Sequence, residues 1–368
     1  MPMEMKTLTK EELQRYLQQR HGAAVEVREI RELGGENRGA AALKQFGYGR
    51  PVYVSYQVND ESVEEVFHTI QRNEFGRERQ DDRVAAVWLD FETFNRLPRH
   101  VRAVDMIGFS DEGHVQSLAP VQEVMLVTAY RHGTPYADDL MRIRDEGVTQ
   151  PRDLRRCRAL ADYLAAIHHV DHDDSALWRR RLRDLVGHGE GIMGLTDSYP
   201  PGLSYVTPAE LRQIEEEANR WRWRLKGQSQ RLRQVHGDFH PFNILFGENE
   251  ELVTLDRSRG QWGEPADDVS CLTINYLFFS LQRATRLAEP FLTLHTEFWE
   301  RYFSSRLDDG LLSSVQPWFA WRALVLASPI WYPTLGDEVR RKLLTFARRV
   351  MESERYDYRA VNSYIEET

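Results

Sequence analysis

Residues 235–246 read Val235-His236-Gly237-Asp238-Phe239-His240-Pro241-Phe242-Asn243-Ile244-Leu245-Phe246, and residues 252–256 read Leu252-Val253-Thr254-Leu255-Asp256. Apolar runs bracket a polar loop, a pattern that predicts two strands, with Asp238 and Asn243 on the loop and Asp256 at the end of the second strand. A hairpin would bring Asp256 back alongside, so that three oxygen-bearing side chains converge. An isolated Asp-rich turn is ordinarily a solvated loop, and a lone His236 is ordinarily a core residue. The spacing of the three, flanked by buried-strand patterns, is what favours chemistry. Phosphoryl transfer needs such a set, because its transition state requires an aligned acceptor and neutralised phosphate charge more than covalent help. Asp238 would orient an acceptor hydroxyl and accept its proton. Asn243 and Asp256 offer the oxygen ligands that magnesium, a hard ion, prefers. The string His236-x-Asp238-x-His240 admits a second reading, a metal hydrolase site, for which His168, His169 or His172 would have to supply further ligands.

Outward from this loop the chain changes character once. Thr9 to Arg20 reads as a helix with Thr9 as cap and Glu12 completing a capping box, ended by His21-Gly22. Val25 to Leu33, Ala40 to Phe46, Pro51 to Val58 and Val63 to Ile70 read as strands of an antiparallel sheet. Arg79 to Leu97 returns to helical spacing with a stripe of Val84, Val87, Trp88, Phe91 and Phe94, and Glu123 to Tyr130 reads as a further strand. Beyond it, helical patterns dominate at Leu154 to His168, Ala176 to Leu185, Pro208 to Leu225 and almost everywhere after Ala266. The expected architecture is α+β, with a β-rich lobe over 1–132 and a larger, mainly helical lobe over 133–368. The basic run Arg179, Arg180, Arg181 and Arg183 reads as a solvated helix face, and Gly187 to Gly191 as a turn between helices.

The set His236-x-Asp238-x-x-x-x-Asn243, then Asp256 and Gly263-Glu264-Pro265-Ala266-Asp267-Asp268, resembles the catalytic core of the aminoglycoside phosphotransferase family, relatives of protein kinases. The resemblance implies a bilobal kinase-like fold and transfer of a phosphoryl group from ATP, or another nucleoside triphosphate, to a small-molecule hydroxyl. It implies Asp238 as catalytic base, Asn243 and Asp256 as magnesium ligands that also meet the nucleotide phosphates, Asp268 as a structural acid under the loop, and His236 as a scaffold beside the base. Leu126 to Gly133 looks like the family's interlobe hinge, whose backbone near Thr128 and Tyr130 would take the adenine edge. Leu160 to His168 looks like the helix before its substrate-binding insert. The stripe Trp318, Trp321, Leu324, Val325, Trp331 and Tyr332 reads first as core packing, whereas the resemblance implies distal helices that complete the acceptor pocket, with Trp331 and Tyr332 against an apolar portion of substrate.

The small-lobe lysine that the resemblance implies has no comfortable match. Pro51 to Val58 holds none, Val63 to Ile70 offers His68, and Lys44, one strand earlier, is the candidate. That gap leaves open a non-catalytic nucleotide or small-molecule binder. Gly34 and Gly35, like Gly47 and Gly49, suit a turn over phosphates, since glycine lets backbone amides approach an anion closely, yet ordinary hairpins use the same residues. Composition sets the remaining bounds. A chain of 368 residues, 41% hydrophobic, buries a sizeable core. With 48 basic against 57 acidic residues and a net charge of -9, a general nucleic-acid binder is not expected. Cys157 and Cys271 alone make no disulfide scaffold, and no export signal or membrane-length apolar run is visible, so the expected setting is cytoplasmic, with no membrane partner. No pattern specifies an oligomeric state. The resemblance is compatible with an aminoglycoside, another sugar, an amino alcohol or a similar hydroxyl compound as acceptor.

Overall fold

In the computed structural model the described residues are 9–33, 51–96, 101–110, 114–121, 124, 126, 128–257 and 259–366. Compact packing divides the chain into Met1–Thr128 and Ala129–Thr368.

In the first unit, helix α1 (Lys10–His21) begins where its cap dictates. Thr9 Oγ1 accepts a hydrogen bond from the Glu12 amide at 3.2 Å, and the Glu12 carboxylate accepts from the Thr9 amide at 3.0 Å. These reciprocal bonds satisfy two donors that a helix start leaves without partners. Strands β1 (Val25–Glu32), β2 (Val52–Val58) and β3 (Glu61–Phe67) form an antiparallel sheet in that order. The tight turn between β2 and β3 uses Asn59 and Asp60, both at positive φ, as a two-residue hairpin demands. Val54, Tyr56 and Val58 alternate inward along β2. They pack with Leu13, Tyr16 and Leu17 of α1 and Val25 and Val27 of β1.

Helix α2 (Gln80–Phe94) forms close to its predicted span but buries no residue: Val87, Trp88, Phe91 and Phe94 are half-buried and Val84 is exposed. A short hairpin follows, β4 (Ile107–Phe109) with β5 (Val115–Ser117). The strand expected over Glu123 to Tyr130 is not formed at its described residues 124, 126 and 128–130. Leu126 and Tyr130 there are almost fully exposed, so their apolar pattern has no packing partner to hold it as a strand. The expected run Ala40 to Phe46, with Gly34, Gly35, Gly47, Gly49 and Lys44, lies outside the described residues.

The second unit runs β6 (Thr134–Pro135), α3 (Tyr136–Glu146), α4 (Pro151–Ile167), α5 (Ser175–Gly187), α6 (Ile192–Asp197), α7 (Pro208–Leu225), β7 (Arg233–Gln234), β8 (Ile244–Phe246), β9 (Leu252–Thr254), β10 (Trp262–Gly263), α8 (Pro265–Leu281), α9 (Phe291–Ser305), α10 (Gln316–Ala327) and α11 (Asp337–Glu352). Every residue of α8 is buried, including Asp267 and Asp268 in its first turn. Helices α3, α9, α10 and α11 pack against it, and α11 also packs on α7. Trp178, Trp299 and Trp318 fill the core. Trp178 and Trp221 hold their indole N–H groups on the carbonyls of Leu225 and Met351, so their burial leaves those donors paired. Among the described residues no helix is long and apolar enough to cross a membrane.

Candidate functional site

Two short antiparallel ladders frame the 235–246 stretch. β7 pairs with β10, Gln234 opposite Trp262, and the Val235 amide extends the ladder to the Gln261 carbonyl at 2.9 Å. On the far side β8 pairs with β9, Ile244 opposite Thr254, and the Leu255 amide extends that ladder to the Asn243 carbonyl at 2.8 Å. The expected hairpin therefore forms, and loops 235–243 and 255–261 hang between the same two ladders. Arg257 ties them, donating from Nη2 to the Val235 carbonyl at 2.8 Å.

Loop 235–243 is gripped from below by the start of α8. Asp268, wholly buried, accepts from the His236 and Gly237 amides, each at 2.7 Å, and its Oδ2 lies 3.1 Å from His168 Nε2. Two consecutive amides reach one carboxylate because Gly237 takes φ 87°, where a side chain would be strained and its Cβ would sit 3.3 Å from Arg259. Burial pushes the Asp268 carboxyl up, but His168 and the His236 amide outweigh it and hold it below the usual carboxylate range. His168 is itself fixed by the Tyr302 hydroxyl at 2.9 Å.

Asp238 stands on this pinned backbone with its side chain 13% exposed. Arg322 of α10 donates from Nη1 to Asp238 Oδ1 at 2.7 Å and from Nη2 to the Gly237 carbonyl at 3.0 Å. The same guanidinium pairs with Asp267, which Arg181 of α5 holds from Nη2 at 2.7 Å. Asp238 Oδ2 faces His240 Nε2 at 3.7 Å, beyond hydrogen-bond reach. Burial pushes the Asp238 carboxyl up, and the charges of Arg322, Arg259 and His240 bring it below its ordinary value, so it is ionised at neutral pH. Burial lowers His240. Burial pushes the Tyr332 phenol up to about 12, with the charges of Cys271 and Asp238 adding to the rise.

Asn243 donates from Nδ2 to the Asp238 carbonyl at 3.1 Å, a bond that leaves its amide oxygen to serve as a ligand atom. Asp256 is exposed, follows the residue hydrogen-bonded to Asn243, and takes φ 51°, a left-handed conformation that aspartate tolerates better than most residues. One amide oxygen and one exposed carboxylate on adjoining backbone fit a hard cation that keeps water and phosphate oxygens as its other ligands.

The remaining sequence-derived candidates have different surroundings. Thr128 and Tyr130 are exposed, Tyr130 resting edge-on against His132 at 4.8 Å. His236 is buried against Phe239, and its Nδ1 accepts from the Asp238 amide at 3.3 Å. Trp331 is exposed, whereas Tyr332 packs on Phe278. The His-x-Asp-x-His hydrolase reading is not supported, since no three His, Cys, Asp or Glu side chains among the described residues group as a metal site. His168 is instead spent on Asp268 and Tyr302.

The solvated face expected for Arg179 to Arg183 is corrected at two positions. Arg180 and Arg181 are buried, because α5 turns them toward Asp184 and Asp267. Arg322 was not among the sequence candidates. Its signal is a single charge in α10, whose sequence Gln-Pro-Trp-Phe-Ala-Trp-Arg-Ala-Leu-Val-Leu-Ala is otherwise uncharged and almost entirely buried.

Residues 80–301, more than half of the chain, match the model of the phosphotransferase enzyme family. No curated protein sequence matches this one. Among solved structures, an amicoumacin kinase in complex with AMP-PNP is similar at 14% identity and TM-score 0.40, over 83% of this chain and 88% of its own. A thermostable mutant of an aminoglycoside phosphotransferase is similar at 14% identity and TM-score 0.37, over 92% and 98%. A glucosamine kinase in complex with glucosamine and ADP is similar at 18% identity and TM-score 0.35, over 62% of this chain and 57% of its own length. With the family match running from α2 into α9 over more than half of its residues, the chain belongs to the phosphotransferase enzyme family.

Proposed function

We propose that this protein transfers the γ-phosphoryl group of ATP to a hydroxyl of a small molecule, with Asp238 as the base, Asn243 and Asp256 as magnesium ligands and His236 as a brace for the loop. The observation that carries the reading is the pinned 235–243 loop, which presents an ionised, mostly buried Asp238 beside a hairpin holding Asn243 next to Asp256. Asp238 aligns the acceptor O–H, and its proton passes to the carboxylate as the oxygen bonds to phosphorus and ADP leaves. Magnesium, when bound, supplies charge neutralisation on the phosphate oxygens. Residues 133–368 carry this chemistry, and residues 1–132 contribute to nucleotide binding. The acceptors to test first are aminoglycosides, other sugars and amino alcohols.

ATP consumption across such a panel, with a melting scan in magnesium and ATP, tests the reading. At least one acceptor should raise consumption, and Asp238→Ala should lower that turnover by about 1,000-fold while keeping the nucleotide-induced rise in melting temperature. Unchanged turnover in Asp238→Ala removes the mechanism. A nucleotide-induced rise with no transfer to any acceptor turns the protein into a binder.

A further inference from the structure

The two oxygens of Asp238 are not equivalent. Oδ1 is taken by Arg322 Nη1 at 2.7 Å, with Cys271 Sγ at 4.0 Å, while Oδ2 faces His240 Nε2 at 3.7 Å. We infer that Arg322 is the positioning residue of the site: it fixes Oδ1 and the Gly237 carbonyl together, so that Oδ2 is the oxygen presented to the acceptor hydroxyl. The inference rests on Asp238 as the base.

Three features argue for positioning over simple cohesion. First, Arg322 binds both the side chain of Asp238 and the carbonyl of the residue before it, which restricts the backbone and the side-chain torsions of one residue at once. Second, the guanidinium is itself immobilised. Asp267 pairs with its Nη2 and is held in turn by Arg181, and the face of Trp321 lies 4.0 Å from the Arg322 carbon. The chain Arg181, Asp267, Arg322, Asp238 therefore runs from α5 through the start of α8 and α10 to the loop. Asp267 and Asp268 are neighbours, so one end of α8 fixes the loop backbone through Asp268 and the Asp238 side chain through Arg322. Third, Arg322 Nε has no acceptor among the described residues. A buried charge with an unpaired donor is a poor device for stability alone, since apolar residues would pack there without desolvating a cation.

The test uses the full chain, magnesium with ATP, and whichever panel acceptor supports turnover, with slow hydrolysis of ATP by water as a second readout. Arg322→Gln should lower kcat by about 100-fold, the cost of a base displaced by about 1 Å, with KM for the acceptor and the nucleotide-induced melting shift largely kept. Arg322→Lys, which retains one charge but not the fork, should recover about tenfold of that loss. An Arg322→Gln protein with wild-type kcat overturns the inference. So does a loss of kcat that tracks the folded fraction and is no smaller in Arg322→Lys. If the glutamine variant does not fold, a folded Arg322→Lys protein with full kcat overturns it equally. Asp238→Asn in the same assay separates the two levels: full turnover there defeats the base assignment, whereas an inactive Asp238→Asn beside a fully active Arg322→Gln defeats only the positioning role.

Discussion

Loops 235–243 and 255–261 hang from the same two ladders yet are held in opposite ways. The first is fixed from within, its backbone by the buried carboxylate of Asp268 and its Asp238 side chain by the buried guanidinium of Arg322. The second is fixed mainly through carbonyl bonds, from Arg257 to Val235 and Gln261 and from Arg181 to Arg259, with the Arg259 side chain on Glu190 and over Trp321, and it leaves Asp256 exposed. A group that must orient a hydroxyl needs its own atoms immobilised, because small displacements cost rate steeply. A group that is to meet a cation is better left with open lone pairs, since the ion completes the order on arrival.

The contrast breaks most visibly at Asp256. Asparagine also tolerates a left-handed backbone, so Asp256→Asn should fold as the wild type does and melt at the same temperature without nucleotide. Turnover should fall by about 1,000-fold, near 4 kcal/mol, and the melting shift given by magnesium with ATP should shrink toward that given by ATP alone. A full magnesium-dependent shift in Asp256→Asn would assign the cation elsewhere.

Asp268 should show the reverse pattern. Asp268→Asn puts an amide N–H₂ where the His236 and Gly237 amides need acceptors and removes the charge facing His168, so a buried donor is stranded. The expected loss is about 3 kcal/mol in denaturant unfolding, with turnover falling alongside it. A loss below about 1 kcal/mol would mean that the loop carries its own shape.

How far the sequence reached follows the same division. Local signals were readable: the Thr9–Glu12 capping box, the span of α7 and the β8–β9 hairpin all follow from nearest-neighbour chemistry. The placement of Asp238, Asn243 and Asp256 around one hairpin was readable because their spacing is local to it. Arg322 and Arg181 were not, because nothing in α10 or α5 alone states which carboxylate 84 or 86 residues away will meet them. The strand expected at Glu123 to Tyr130 failed for a related reason, since β propensity needs a neighbour to pack against and Leu126 and Tyr130 face solvent.

Acid should separate the loops by a smaller effect, with a sign fixed by Asp268. Its carboxyl is held below the ordinary value in the folded protein, against a burial that raises it, chiefly by His168 and by the His236 amide. A group depressed in this way binds its proton more readily in the unfolded chain. Its contribution is therefore complete above the ordinary aspartate range, near pH 4, and drains away as pH falls through the lowered value. Among the described residues, the backbone of loop 255–261 is tied by amides and guanidinium groups to carbonyl oxygens, which do not titrate there, and its carboxylate tie, Arg259 to Glu190 at 3.5 Å, holds a side chain and not the Leu255 amide. Hydrogen exchange followed from about pH 6 down to about pH 3, corrected for intrinsic rates, should show the His236 and Gly237 amides losing protection before the Leu255 amide does. Asp268→Asn should abolish that difference. Simultaneous loss at all three amides in the wild type would mean that the two loops open as one unit, and that the carboxylate under the first is not what distinguishes it from the second.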